Sequence, residues 1–157
     1  MTIQGPAIAL VGRVEVDVHE LVAATHTLMR GGDANVDDFD PDLFGRELLP
    51  DWDEEWLQLE RERIRQLRMH ALERLSVLLS GLGRHCEAIE AGLAAMEAEP
   101  LRESAQRAVI EAHLAEGNRS EAIRLYRSYR QLLADALGVE PSVELRTLVG
   151  VEEHVLR

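Results

Sequence analysis

Gly83-Arg84-His85-Cys86-Glu87-Ala88-Ile89 returns thirty-four residues later as Gly117-Asn118-Arg119-Ser120-Glu121-Ala122-Ile123. A repeat of that length has room for two helices and the turn between them. Gly83 and Gly117 fall where such a turn needs a residue free to leave the right-handed region. Ala88 and Ala122 fall five residues on, where a small side chain lets two helices approach closely. Units of this kind bury their apolar faces only by stacking on one another.

This period and residue pattern are those of tetratricopeptide helix pairs. The expected fold class is all-α, a tetratricopeptide-like α-α superhelix with a short extended segment at its N-terminus. Leu72, Leu75 and, in the second unit, Val109 lie where the first helix of a pair faces its partner. Ser76 and Ile110 stand where the first helix usually carries glycine. Gly92 stands where the second unit has Tyr126. These departures describe degenerate repeats within a specific domain rather than a regular array.

Working outward, a long helix is expected from Asp53 to about Ser80, with Leu57, Ile64, Leu67, Ala71, Leu75, Leu78 and Leu82 as its apolar stripe. Glu87 to about Ala98 is its antiparallel partner. Pro100 closes the first repeat and suits the first turn of the next helix, which carries Ala105, Ala108, Val109, Ala112 and Leu114 up to Gly117. Asn118-x-x-Glu121 has the form of a capping box for a helix running through Ile123, Tyr126, Tyr129 and Leu133 to Gly138. With no proline at its expected end, that helix should overrun its counterpart. Pro141 opens a last helix bearing Val143, Leu145, Leu148, Val151 and Val155.

Toward the N-terminus, Asp17 can cap a helix carrying Val18, Leu21, Val22, Thr25 and Leu28, stopped by Gly31-Gly32. Ala7-Ile8-Ala9-Leu10-Val11 and Val14-Glu15-Val16 have β-propensity but no partner strands elsewhere. Residues 33–55 are strongly acidic, interrupted by Phe39, Leu43, Phe44, Leu48 and Leu49. They read as a short helix and a turn at Pro50. Arg61, Arg63, Arg65 and Arg68 on the long helix are expected to partner this acidic stretch.

Charge narrows the function. Seventeen basic against twenty-nine acidic residues give a net charge of −12, and every basic residue is arginine. A nucleic-acid binder draws most of its affinity from neutralised phosphates, so this chain by itself is not expected to bind DNA or RNA directly. No run of apolar residues is long enough for a membrane span. A single cysteine, Cys86, excludes an internal disulfide and fits the cytoplasm.

Signals for chemistry are weak. The acidic stretch invites calcium, but its spacing is not that of an EF-hand loop. His19, His26, His70, His85, His113 and His154 show no zinc-ligand spacing, and His85-Cys86 lacks an orienting group or oxyanion element. No catalytic, metal-binding or cofactor-binding residue is assigned. Trp52 and Trp56, one turn apart, are read as packing that anchors the acidic segment rather than as a ligand platform. The candidate functional surface is the concave groove, where the register places His70, Glu73 and Val77 from the first unit and Arg107, Glu111 and Leu114 from the second.

Several motifs in order resemble one family. Leu48-Leu49-Pro50-Asp51-Trp52-Asp53-x-Glu55-Trp56, Leu59-Glu60-Arg61-Glu62-Arg63-Ile64-Arg65-Gln66-Leu67-Arg68, Glu99-Pro100-Leu101-Arg102-Glu103-Ser104, Glu116-Gly117-Asn118-Arg119 and Leu137-Gly138-Val139-Glu140-Pro141-Ser142 look like the bacterial transcriptional activation domain of SARP-type regulators of antibiotic biosynthesis. The resemblance spans about Val16 to Val149. It implies a helical domain at 16–157 that self-associates and contacts other proteins, including the transcription machinery. It implies also a winged-helix DNA-binding domain ahead of it, of which residues 1–15 would be the remnant and junction. The rival expectation is a general tetratricopeptide adaptor that takes a partner peptide outside transcription. A small metal-dependent enzyme using the acidic segment is a distant third.

Overall fold

The computed structural model describes residues 16–30, 35–39, 41–45 and 48–150. The extended pieces expected in 1–15, the Gly31-Gly32 stop, and Val151, His154 and Val155 lie outside them. Six helices follow in order: α1 (Asp17–Arg30), α2 (Glu55–Gly81), α3 (His85–Ala98), α4 (Glu103–Glu116), α5 (Arg119–Leu137) and α6 (Val143–Val149). Single 3-10 turns at Val36–Asp38 and Pro41–Gly45 lie between α1 and α2. Among the described residues there is no strand. The fold is all-α, with α2–α3 and α4–α5 as successive antiparallel hairpins stacked in the tetratricopeptide manner.

Both hairpin turns are closed by the same device. Gly83 and Gly117 adopt φ of 76° and 88°, and the next residue's amide reaches back five positions, Arg84 to the Leu79 carbonyl and Asn118 to the His113 carbonyl. This is the Schellman closure, in which a left-handed residue lets the chain satisfy the last free carbonyls of a helix. The period seen in the sequence is thus a period of helix stops.

The apolar stripes assemble into two adjoining cores. The first joins Leu21 and Leu28 of α1, Phe44, and Ile64, Ala71, Leu72, Leu75 and Leu79 of α2 to Ala88, Ala91 and Ala95 of α3. The second joins Ile110 to Ala122, Tyr126, Tyr129 and Leu133 of α5 and to Leu145 and Val149 of α6. Ala88 and Ala122 are both fully buried, as their repeat position requires. The departures at Ser76 and Gly92 now have a reason. A Cβ on Gly92 would lie 2.6 Å from the Val109 side chain and 3.3 Å from the Ser76 hydroxyl. Glycine therefore lets α2, α3 and α4 meet, and the Ser76 hydroxyl donates to the Ala88 carbonyl at 2.7 Å.

Four local expectations are corrected. Pro100 lies in the turn and α4 begins at Glu103; Gln106 side-chain N–H donates to the Pro100 carbonyl at 3.1 Å. The Asn118 capping box does not form: Asn118 makes no side-chain bond to the helix start, accepting instead from the Ser120 hydroxyl, while Glu121 pairs with Arg124. Pro141 precedes α6 rather than starting it, and Ser142 caps that helix by accepting from the Leu145 amide at 3.1 Å. Leu82, which caps the end of α2, and Val143, at the start of α6, are exposed. The second repeat's closing helix does overrun, with 19 residues in α5 against 14 in α3.

Candidate protein-interaction groove

The first helices of the two hairpins, α2 and α4, lie side by side, and α1 packs along α2 on the other flank. Between them runs an open crevice of about 260 Å³ lined by His70, Glu73, Arg74 and Val77 of α2, by Ser104, Arg107, Ala108 and Glu111 of α4, and by Met29 of α1. Five of the six residues that the repeat register assigns to a groove share this crevice. Leu114 does not, because it turns toward Ile110 and α5 and packs on the second core.

The polar floor of the crevice is internally satisfied. Glu73, with only 14% of its side chain exposed, accepts from Arg102 Nε at 2.6 Å and from the Ser104 hydroxyl at 2.7 Å. The same guanidinium reaches Gln66 Oε1 and His70 Nδ1, each at 3.3 Å. Arg107 pairs with Glu103 at 3.5 Å, and Glu103 also accepts the Ser142 amide at 2.9 Å. A forked arginine with several acceptors fixes the angle between α2 and α4 more firmly than one bond would. The walls are set, with Met29, His70 and Val77 exposed along the crevice and Glu111 half-buried.

Met29, Arg74, Arg102 and Ser104 were missed from sequence. Met29 belongs to a helix outside the repeats, so the register could not place it. Arg102 and Ser104 stood in a quoted motif, and their meaning required the neighbouring helix.

The acidic segment is held to α2 through backbone carbonyls, by two of the four arginines expected to partner it; Arg63 pairs instead with Glu60, and Arg65 with Glu62 and Glu99. Arg61 donates to three backbone carbonyls, Leu48 at 3.0 Å, Leu49 at 2.5 Å and Trp52 at 2.7 Å. Arg68 donates to the Phe44 carbonyl at 2.5 Å. Asp37 reaches the start of α3 instead, pairing with Arg84 at 2.5 Å. Leu49 has φ of 46°, a left-handed backbone that a leucine rarely adopts, and its carbonyl is one of those Arg61 captures. Trp52 and Trp56 do not anchor the segment: they are 54% and 60% exposed, and Phe44 fills the anchoring role at 1%.

Further along α2, Arg65 pairs with Glu62 at 2.9 Å and with Glu99 at 2.7 Å. The Arg65 and Gln66 hydrogen bonds pull the Glu62 carboxyl down to about 2. Among the described residues no group of three or more His, Cys, Asp or Glu side chains is placed to hold a metal ion. No helix among them is long and apolar enough to cross a membrane.

Residues 41–150 match the family described as the bacterial transcriptional activator domain. The chain is similar to the regulatory protein AfsR of Streptomyces coelicolor, with 34% identity over 107 residues, 68% of this chain and 11% of that protein. It is similar as well to AfsR of Streptomyces griseus, with 34% identity over 98 residues, 62% of this chain and 10% of that one. The chain thus spans about a tenth of the length of these relatives.

Proposed function

The chain belongs to the bacterial transcriptional activator domain family of SARP-type regulators, and we propose that it is the protein-interaction and self-association module of such a regulator. The observation that carries this reading is the α2–α4 crevice, whose floor is locked by the Arg102–Glu73 fork while His70, Val77, Arg107 and Glu111 line its open face. A rigid floor with a mixed apolar and charged rim suits recognition of a helix or extended peptide. Its partners are then protein: a second copy of the chain and components of the transcription machinery, in the cytoplasm.

In this reading DNA contact belongs to a winged-helix domain outside these residues, with 1–15 as the junction to it and 16–157 as the helical domain. The net charge of −12 supports that division, since it opposes phosphate binding. The module performs no catalysis and uses no cofactor. Light scattering coupled to size exclusion, across a wide concentration range, tests the first claim. The expected result is a mass that rises toward twice 17.6 kDa; a constant monomer mass defeats self-association. A duplex DNA titration should show no binding at physiological salt.

A further inference from the structure

Helix α2 has 27 residues, about 40 Å, whereas α3 and α4 have 14 each, about 21 Å. The far end of α3 is fixed on α2 by the Arg65–Glu99 pair, so residues 55–64 of α2 run on past the α3–α4 turn. One side of this overhang is covered: Leu57 and Ile64 are buried, and Arg61 holds the 48–52 loop. The other side is exposed among the described residues. Trp56, Arg63, His70 and Val77 recur every seven residues, two helical turns, so the overhang continues the stripe that lines the crevice. On it Trp56 is 60% and Leu59 75% exposed, and Trp52, in the loop that leads into the helix, is 54% exposed.

Large apolar side chains gathered on one exposed face mark an interaction surface. Charge says which partner fits. A chain at −12 repels a second copy over most of its surface, but between Leu59 and Arg63 the stripe carries one Glu60 and one Arg63, net zero. The two already meet within one helix at 3.1 Å, each about half exposed. In a parallel pairing Glu60 would face Glu60 and Arg63 would face Arg63. In an antiparallel pairing with its twofold between residues 61 and 62, each Glu60 faces the other copy's Arg63. Trp56 and Leu59 then cover the apolar stems on either side.

We propose that a second copy of this chain docks antiparallel along the α2 overhang, through Trp52, Trp56, Leu59, Glu60 and Arg63. This rests on the self-association proposed above and assigns it a face. Burying two tryptophans and a leucine with two charged stems covers roughly 500 Å² per protomer, below the ~800 Å² of a standard interface. The dimer is therefore weak and concentration-dependent.

The chain's only tryptophans are Trp52 and Trp56, so their emission reports this face directly. The test uses the full 157-residue chain, with sedimentation equilibrium and tryptophan emission followed over the same concentrations. The expected result is dimerisation with a parallel blue shift and protection from acrylamide. Arg63→Glu alone and Glu60→Arg alone each weaken the dimer at least tenfold, and mixing the two variants restores it as a heterodimer. A dimer whose emission does not change, and which tolerates both substitutions, overturns this face while leaving self-association standing. A chain that stays monomeric throughout overturns both.

Discussion

Gly92 shows how much a single missing methyl can decide. Its place in the period is that of Tyr126, which is buried in the second core, yet here α4 leaves no room even for a Cβ. Gly92→Ala should destabilise the fold by about 1–3 kcal/mol through overpacking, read as a lower urea midpoint with unchanged slope. Adding Val109→Ala, which removes the clashing methyls, should return part of that loss. Tyr129 is a second case. Its side chain is buried, its hydroxyl donates to the Leu101 carbonyl at 3.0 Å, and burial followed by the Glu103 charge pushes its pKa up to about 12. A raised folded pKa gives stability that is whole below the unfolded value near 10 and is lost as pH rises through the folded one. Stability should therefore fall between about pH 10 and 12, and in Tyr129→Phe this slope should flatten.

At the scale of the element, the 48–52 loop is the part whose order depends on one neighbour. Three carbonyls of that loop converge on Arg61, and Leu49 holds its left-handed backbone beneath them. Arg61→Ala should cost about 1.5–3 kcal/mol, the range for hydrogen bonds to a charged group, and speed hydrogen exchange across 48–52 selectively. Arg61→Lys should not restore protection, since an ammonium cannot span the three acceptors as a planar fork does. If exchange in the loop is unchanged by either substitution, the loop is held by Phe44 and Leu48 alone. The hairpin turns behave oppositely. Gly117→Ala places a Cβ at φ 88° in open space, so its cost is backbone strain of about 1 kcal/mol with no repacking.

For the whole molecule, charge sets the pH range. Hydrogen bonds from Arg65, Arg84 and Arg130 hold Glu62, Glu87 and Glu140 below the usual carboxylate range. Depressed folded values give stability that is present above the unfolded pKa and lost as pH falls through the folded one. Acid should thus weaken the fold progressively from about pH 4.5 toward pH 2. All three carboxylates are exposed, so added salt should shrink that slope. A urea midpoint that holds constant down to pH 2 would assign these pairs no part in stability.

Much of this molecule was legible before its coordinates. The 34-residue period marked both Schellman stops, because a left-handed glycine is a local backbone requirement that any copy of the turn must meet. Five of the six register positions line one crevice, since residues three, four and seven apart share a helix face whatever surrounds them. Leu114 stands in the apolar stripe of α4 as well as in the groove register, and α5, against which it packs, decides between the two. The tryptophans misled for a similar reason. An aromatic pair one turn apart reads as core, but α2 outruns its partner helices, and only their relative lengths and the Arg65–Glu99 contact show it.

The sequence by itself determined the helical class, the hairpin order and the family, all carried by local periodicity and by motifs that stand in the chain. Tertiary structure alone decided what each helix face meets: which arginines clasp carbonyls, why residue 92 has no side chain, and which stripe of α2 is exposed among the described residues. Those outcomes depend on distances between segments far apart in the chain, and pairings at that range leave no period to read.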